Sequence, residues 1–281
     1  MMVVEKKVEK EVGASKMKIK LINQKGNFLK FMLSETDSAF ANSVRRVMMN
    51  KVPTMAVQEV EFRKNSSILY DEMVAHRLGL LPLKTDLKSY EVPPADLEEG
   101  EYLAKSHLKL TLSEKGPKVV YASDIKSKDP KVVPFYPKTP IVKLLEGQEL
   151  EFEAVATLGY GKQHAKFSPG HIFYTNDFEV TVNNDSPLFD EFKDKYPEGV
   201  FKDGKIDKKL MIENELVDAC DGVCEDIVKV EYDPTTFIFD IESWGQLSPK
   251  EIVLEAVEQL KDSSDKFVKE LNKLGKDKKK K

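Results

Sequence analysis

Chemistry in this chain would have to come from four histidines, two cysteines and a large stock of carboxylates. The histidines are His76, His107, His164 and His171, and none stands in an HExxH or comparable ligand spacing. His164 and His171 are separated by a stretch containing Pro169 and Gly170, which works against a shared helical face. The segment GYGKQH at 159–164 has two glycines and a lysine. It lacks the third glycine of a dinucleotide loop and the spacing and Ser/Thr of a P-loop. Two glycines after a strand instead permit close backbone approach or a bulge. No pair of carboxylates lies in an apolar context that would keep one protonated for general acid work, and there is no G-x-S-x-G elbow. The residues supply no self-contained active site.

Cys220 and Cys224 are the only cysteines. They exclude a disulfide framework, and this chain alone cannot build a four-thiolate metal site. Packing is the simplest role for the pair; a regulatory disulfide or a metal shared with another chain are the alternatives.

The elements that would have to position these residues belong to a globular chain of 281 residues, 41% hydrophobic and 33% charged, long enough for two domains. No apolar run approaches the roughly 18–20 residues of a bilayer-spanning helix, and MMVVEKKVEKEVGASK lacks the apolar region of a secretory signal. A cytoplasmic protein with no membrane partner is expected. The net charge of −4 is uneven: Gly275–Lys281 carries +4, which leaves −8 for residues 1–274. Asn183–Asp233, with 15 acidic and 7 basic residues, is −8 by itself. An acidic body is unsuited to neutralising phosphates, and the KDKKKK tail reads as a solvated end.

Residues 1–16 read as a flexible extension. KIKLIN and FLKFMLS flank a QKGN turn and predict a β-hairpin. Asp37 or Ser38 can cap a helix in which Phe40, Val44, Val47 and Met48 share a face, with Arg45 and Arg46 beside it and Pro53 ending it. A strand follows at 55–63, then a short helix with Leu69, Met73 and Leu80 inward, then a long acidic loop at 84–101. Strands are expected at 107–112, 118–122, 141–145, 173–182 and 235–243. The strongest alternation is Leu150, Phe152, Ala154, Ala156 and Leu158.

Ser248, Pro249 and Glu251 occupy N-cap, N1 and N3 of a C-terminal helix. Its residues Val253, Val257, Leu260, Ser264, Phe267, Leu271 and Leu274 step alternately by four and three, a heptad seam interrupted at Ser264. A helix over 249–274 would be about 39 Å long, so its outer half should overhang its own domain. Such a seam favours a partner helix.

Four stretches resemble one family: DSAFANSVRRVMMNKVPTMAVQEVEF at 37–62, YDEMVAHRLGLLPL at 70–83, GYGKQHAKFSPG at 159–170 and FDIESWGQLSPKEIVLEA at 239–256. They are similar, in order, to the D-type third subunit of archaeal DNA-directed RNA polymerase. Its relatives are the eukaryotic third subunit and the N-terminal region of bacterial alpha. The resemblance covers about residues 17–274. It implies an α+β fold with a discontinuous dimerisation domain, 17–53 plus 234–275, and an inserted mostly-β domain at 54–233. The insert would include a degenerate ferredoxin-like subdomain at 183–232, and a basic tail follows at 276–281.

The implied function is that of a non-catalytic assembly platform in a DNA-directed RNA polymerase, a nucleotidyltransferase whose active site lies on other chains. Phe40, Val44, Val47, Val253, Val257, Leu260, Phe267 and Leu271 would form the interface with subunit L. Arg45, Arg46, Lys162 and His164 would face the second-largest subunit, and His76–Leu83 would approach a small zinc-binding subunit. DNA would be met only through the assembled enzyme. Many archaeal members also hold an iron–sulfur cluster through CPEGVF and a later run of cysteines. Here the first stretch reads YPEGVF, with Tyr196 at the cysteine position, and the second keeps only Cys220 and Cys224. A cluster-free subdomain is therefore expected, with no cofactor. Rival readings are an iron–sulfur or redox-sensing protein, opposed by the missing cysteines, and a freestanding nucleic-acid-binding protein, opposed by the acidic body.

Overall fold

The computed structural model describes residues 17–94 and 103–277, with side chains up to residue 273. The expected extension at 1–16, much of the 84–101 loop, the end of the basic tail and the Leu274 side chain lie outside the described residues.

Strands β1 (Lys18–Lys25) and β2 (Phe28–Ser34) precede helix α1 (Ser38–Asn50) and the long strand β3 (Pro53–Asn65). Helix α2 (Asp71–Gly79) is followed by β4 (His107–Lys115), β5 (Lys118–Tyr121), β6 (Lys126–Ser127), β7 (Pro140–Leu144) and β8 (Glu149–Tyr160). Strand β9 (Gly170–Val182) leads into short elements: α3 (Phe189–Phe192), β10 (Phe201–Lys202), β11 (Lys205–Ile206), α4 (Lys208–Glu213) and α5 (Val217–Cys220). Strand β12 (Val228–Ser243) and helix α6 (Pro249–Asp277) complete the order. The strands form two four-stranded sheets, β1-β2-β12-β9 and β3-β8-β4-β6, and two ribbons, β10-β11 and β5-β7. This is a mixed α+β architecture. None of the described helices is long and apolar enough to cross a membrane.

The chain divides into two compact units, each assembled from separated stretches. Of the described residues, one unit gathers those from Met17 to Lys20, those of Phe31–Ala41 and those of Tyr174–Ile238; the other gathers those of Leu21–Lys30, Asn42–Phe173 and the stretch from Phe239 to Asp277.

The larger unit is built on β8, which pairs antiparallel with β3 on one side and β4 on the other. The alternating residues Leu150, Phe152, Ala154, Ala156 and Leu158 all point into one apolar core, each at most 3% exposed. That is the pattern expected when a strand has one face on a core. On the opposite face Glu153 receives the Lys109 ammonium, whose hydrogen bond holds its carboxyl below the usual range.

Helix α2 differs from the sequence expectation. Val74 and Leu78 are buried, whereas Met73 is 51% and Leu80 52% exposed. Leu69, which precedes the helix, packs half-buried against the core as expected, whereas Leu80 lies beyond the helix end; within the helix the i, i+4 pair Val74 and Leu78 forms the inward face.

The smaller unit holds a second core of Val180, Tyr196, Val200, Met211, Cys220 and neighbouring aliphatics. Its two-residue strands and single-turn helices carry too few residues for a periodic signal.

Candidate docking surfaces

Two segments of the larger unit meet at the C-terminal end of α1. Gly159 and Gly161 permit the approach: a Cβ at Gly161 would stand 2.1 Å from the Met49 carbonyl oxygen, and one at Gly159 would stand 2.6 Å from the Phe167 ring. The Lys162 amide donates to the Asn50 carbonyl at 3.2 Å, which ties the turn after β8 to the end of α1. Close backbone approach, rather than phosphate binding, is the role these glycines perform. The contact brings the segment bearing Lys162 and His164 beside the one bearing Arg45 and Arg46.

Arg46, Lys162 and His164 are exposed. Arg45 is half-buried, and its guanidinium donates to Asn42 Oδ1 at 2.9 Å. His164 Nδ1 accepts the Lys166 amide, so this histidine caps a local turn. Lys166 was not singled out by the sequence. Its ammonium donates to the Val57 carbonyl at 3.0 Å and lies 5.1 Å from the Phe167 ring centre, and burial lowers its pKa. No motif marks it, because the burial arises from β3, far away in sequence.

The apolar stripe of α1 is divided. Val47 and Met48 are buried within the chain, at 8% and 0% exposure, while Phe40 and Val44 are half-buried. The Asp37 carboxylate accepts the Phe40 amide at 2.7 Å and caps the helix.

Helix α6 starts as its capping sequence dictates. The Glu251 carboxylate accepts the Ser248 amide at 2.9 Å, and the Ser248 hydroxyl accepts the Glu251 amide at 3.3 Å. Ile252 and Ala256 are buried in the chain's own core, and Lys51 Nζ reaches the Ser263 hydroxyl at 3.1 Å. Beyond that point every described residue of the helix, Ser264–Lys273, is exposed. Along the seam Val253 and Leu260 are half-buried, whereas Val257, Phe267 and Leu271 are 51%, 65% and 51% exposed. An amphipathic helix that leaves its apolar stripe in solvent over several turns has a surface suited to another chain.

The sequence profile of the RNA polymerase Rpb3/RpoA insert domain matches residues 60–173. DNA-directed RNA polymerase subunit Rpo3 of Methanobrevibacter smithii is 35% identical over 267 residues, covering 90% of this chain and 97% of that protein. Subunit Rpo3 of Thermococcus kodakarensis is 36% identical, with 92% and 99% covered, and that of Archaeoglobus fulgidus 36%, with 91% and 97%. The chain belongs to the Rpo3 family of archaeal RNA polymerase subunits.

The iron–sulfur cluster suggested for many Rpo3 relatives does not fit the residues present. Cys220 is fully buried among apolar side chains, and burial pushes its thiol pKa up, away from the thiolate a metal needs. Tyr196 is 4% exposed, and its phenol donates to the Cys224 carbonyl at 3.3 Å. Its own pKa is pushed up to about 12, first by burial and then by the two thiols. Two thiols and a neutral phenol are not a cluster ligand set. Among the described residues no group of three or more His, Cys, Asp or Glu is arranged to hold a metal ion.

Proposed function

We propose that this chain is a non-catalytic assembly-platform subunit of a DNA-directed RNA polymerase, acting by burying its surfaces against other subunits. The observation that carries the reading is the outer half of α6, whose apolar residues are exposed along a heptad seam. Membership of the Rpo3 family supports the same role, since the relatives are named as polymerase subunits.

In the finer reading, residues 17–53 and 234–275 form a discontinuous dimerisation domain, and residues 54–233 are an insert whose 183–232 portion is a cluster-free, degenerate ferredoxin-like subdomain. The partner on the seam is the smaller subunit L, contacted by Phe40, Val44, Val253, Val257, Leu260, Phe267 and Leu271, while Val47, buried in the chain itself, backs that surface. Burying the seam's apolar positions contributes on the order of 10 kcal/mol before ordering costs, at about 1.5–3 kcal/mol per fully covered side chain.

Arg45, Arg46, Lys162 and His164 face the second-largest subunit, and His76–Leu83 approaches a small zinc-binding subunit. Support for the first surface is the joining of its two segments through Lys162 and Asn50. The assembled enzyme works in the cytoplasm, and only there does the chain come near DNA. Co-expression with subunit L tests the platform role. A stoichiometric heterodimer that survives high salt is expected, and its failure to form would sink the reading.

A further inference from the structure

Over its first turns α6 carries three faces. Ile252 and Ala256 are buried in the chain's core, while Val253, Val257 and Leu260 begin the seam. The third face bears Glu251, Leu254, Glu255 and Glu258, and at 3.6 residues per turn it lies about 140° around the helix from the seam. It forms one wall of a groove of about 830 Å³, whose other wall is Thr85–Lys88 with Lys131. Leu87, Leu247, Leu254 and Val257 are the apolar part of its lining, and Leu254 is 57% exposed.

Both walls are held in place. The Thr85 amide donates to the Gln246 carbonyl at 2.9 Å, and the Thr85 hydroxyl accepts the Met55 amide at 3.0 Å. Asp86 accepts from Lys131 Nζ and Ser89 Oγ, each at 2.8 Å, and from the Lys88 amide at 3.0 Å. The reciprocal Ser248 and Glu251 bonds fix the start of the helical wall. A preformed groove asks little reorganisation of an incoming segment.

Its charge is one-sided. Asp86 and Lys131 neutralise each other, which leaves Glu251, Glu255 and Glu258 along one helix opposite Lys88. Glu255 accepts from the Gln259 amide group, and Glu258 makes an exposed 3.9 Å contact with Lys261. The acidic rim is therefore open to cations from outside.

We infer that this groove receives a basic segment with an apolar ridge from another subunit of the assembled polymerase, distinct from the chain on the seam. The inference rests on the platform reading. A helix along the seam lies about 140° away and cannot fill the groove as well. Val257 borders both surfaces, so the two partner segments meet across α6.

Two measurements on the full-length chain test this, with the heterodimer with subunit L compared against the complete polymerase. Deuterium uptake at 85–88 is expected to slow by about tenfold or more in the complete enzyme and to stay unchanged in the heterodimer. A photo-reactive phenylalanine at position 254 is expected to cross-link to a peptide whose apolar residues are flanked by Lys or Arg. Glu255→Lys with Glu258→Lys should cut that yield about fivefold or more while leaving the heterodimer intact. Unchanged uptake, cross-links to subunit L, to nucleic acid or to an acidic peptide, or indifference to the double charge reversal would each overturn the inference. A wild-type chain that joins subunit L but never enters the polymerase overturns it too, whereas failure to join subunit L at all strikes the platform reading first.

Discussion

Tyr196 occupies the core of the smaller unit with its hydroxyl committed to the Cys224 carbonyl, so the position serves packing rather than metal chemistry. Tyr196→Phe should destabilise this unit by about 0.5–1.5 kcal/mol, the usual net value of one hydrogen bond, measured by denaturant unfolding. In the native protein an alkylating reagent should modify the half-buried Cys224 well before the buried Cys220, and anaerobically purified protein should carry no stoichiometric iron or sulfide. Asp86 offers a titration test. Hydrogen bonding to Lys131 holds its carboxyl well below the ordinary range, so its contribution to stability is complete above the unfolded value near about 4 and is lost as pH falls from there toward the lower folded value. Asp86→Asn should lower the unfolding midpoint at pH 7 and flatten its decline below about pH 4. The Cys220 and Cys224 pair and the Tyr196 position were legible in the sequence. Lys166 and the Asp86–Lys131 ion pair were not, because each depends on segments that only the fold brings together.

Long elements announce themselves and short ones do not. The period-2 run on β8 and the capping sequence of α6 both appear in the structure where their residues place them, because burial or a cap enforces them. The two-residue strands β6, β10 and β11 have no period to display, and the inward face of α2 falls on Val74 and Leu78 rather than Met73, with Leu80 beyond the helix end. Phe152→Ala in the middle of β8 should cost about 3–5 kcal/mol, read as a loss in unfolding free energy. Gly161→Ala carries a different expectation. Its Cβ would collide with the Met49 carbonyl, forcing apart the end of α1 and the turn bearing Lys162 and His164. Its effect should be about 2 kcal/mol or more on stability, accompanied by weaker binding of the large subunit, in contrast to a solvent-facing control such as Gly147→Ala, which meets no neighbour but carries only the strain of its own positive φ.

At the scale of the molecule, the outer half of α6 leaves an apolar stripe exposed that the chain does not cover for itself. The acidic 183–233 block and the basic tail set the chain's charge distribution, and α6 carries a run of exposed apolar residues, Val257, Phe267, Val268 and Leu271. Family and platform role were legible through four ordered motifs. The division of α6 into inner, seam and groove faces required the fold, since heptad spacing alone does not say which side the chain covers for itself. The most direct test of the central claim is light scattering with size-exclusion chromatography of the chain co-expressed with subunit L, at low and high salt. A one-to-one heterodimer stable in high salt is predicted, and Val257→Asp with Phe267→Asp, both at exposed positions, should abolish it while leaving the chain folded. A wild-type chain that elutes alone, or a heterodimer indifferent to both aspartates, would contradict the account.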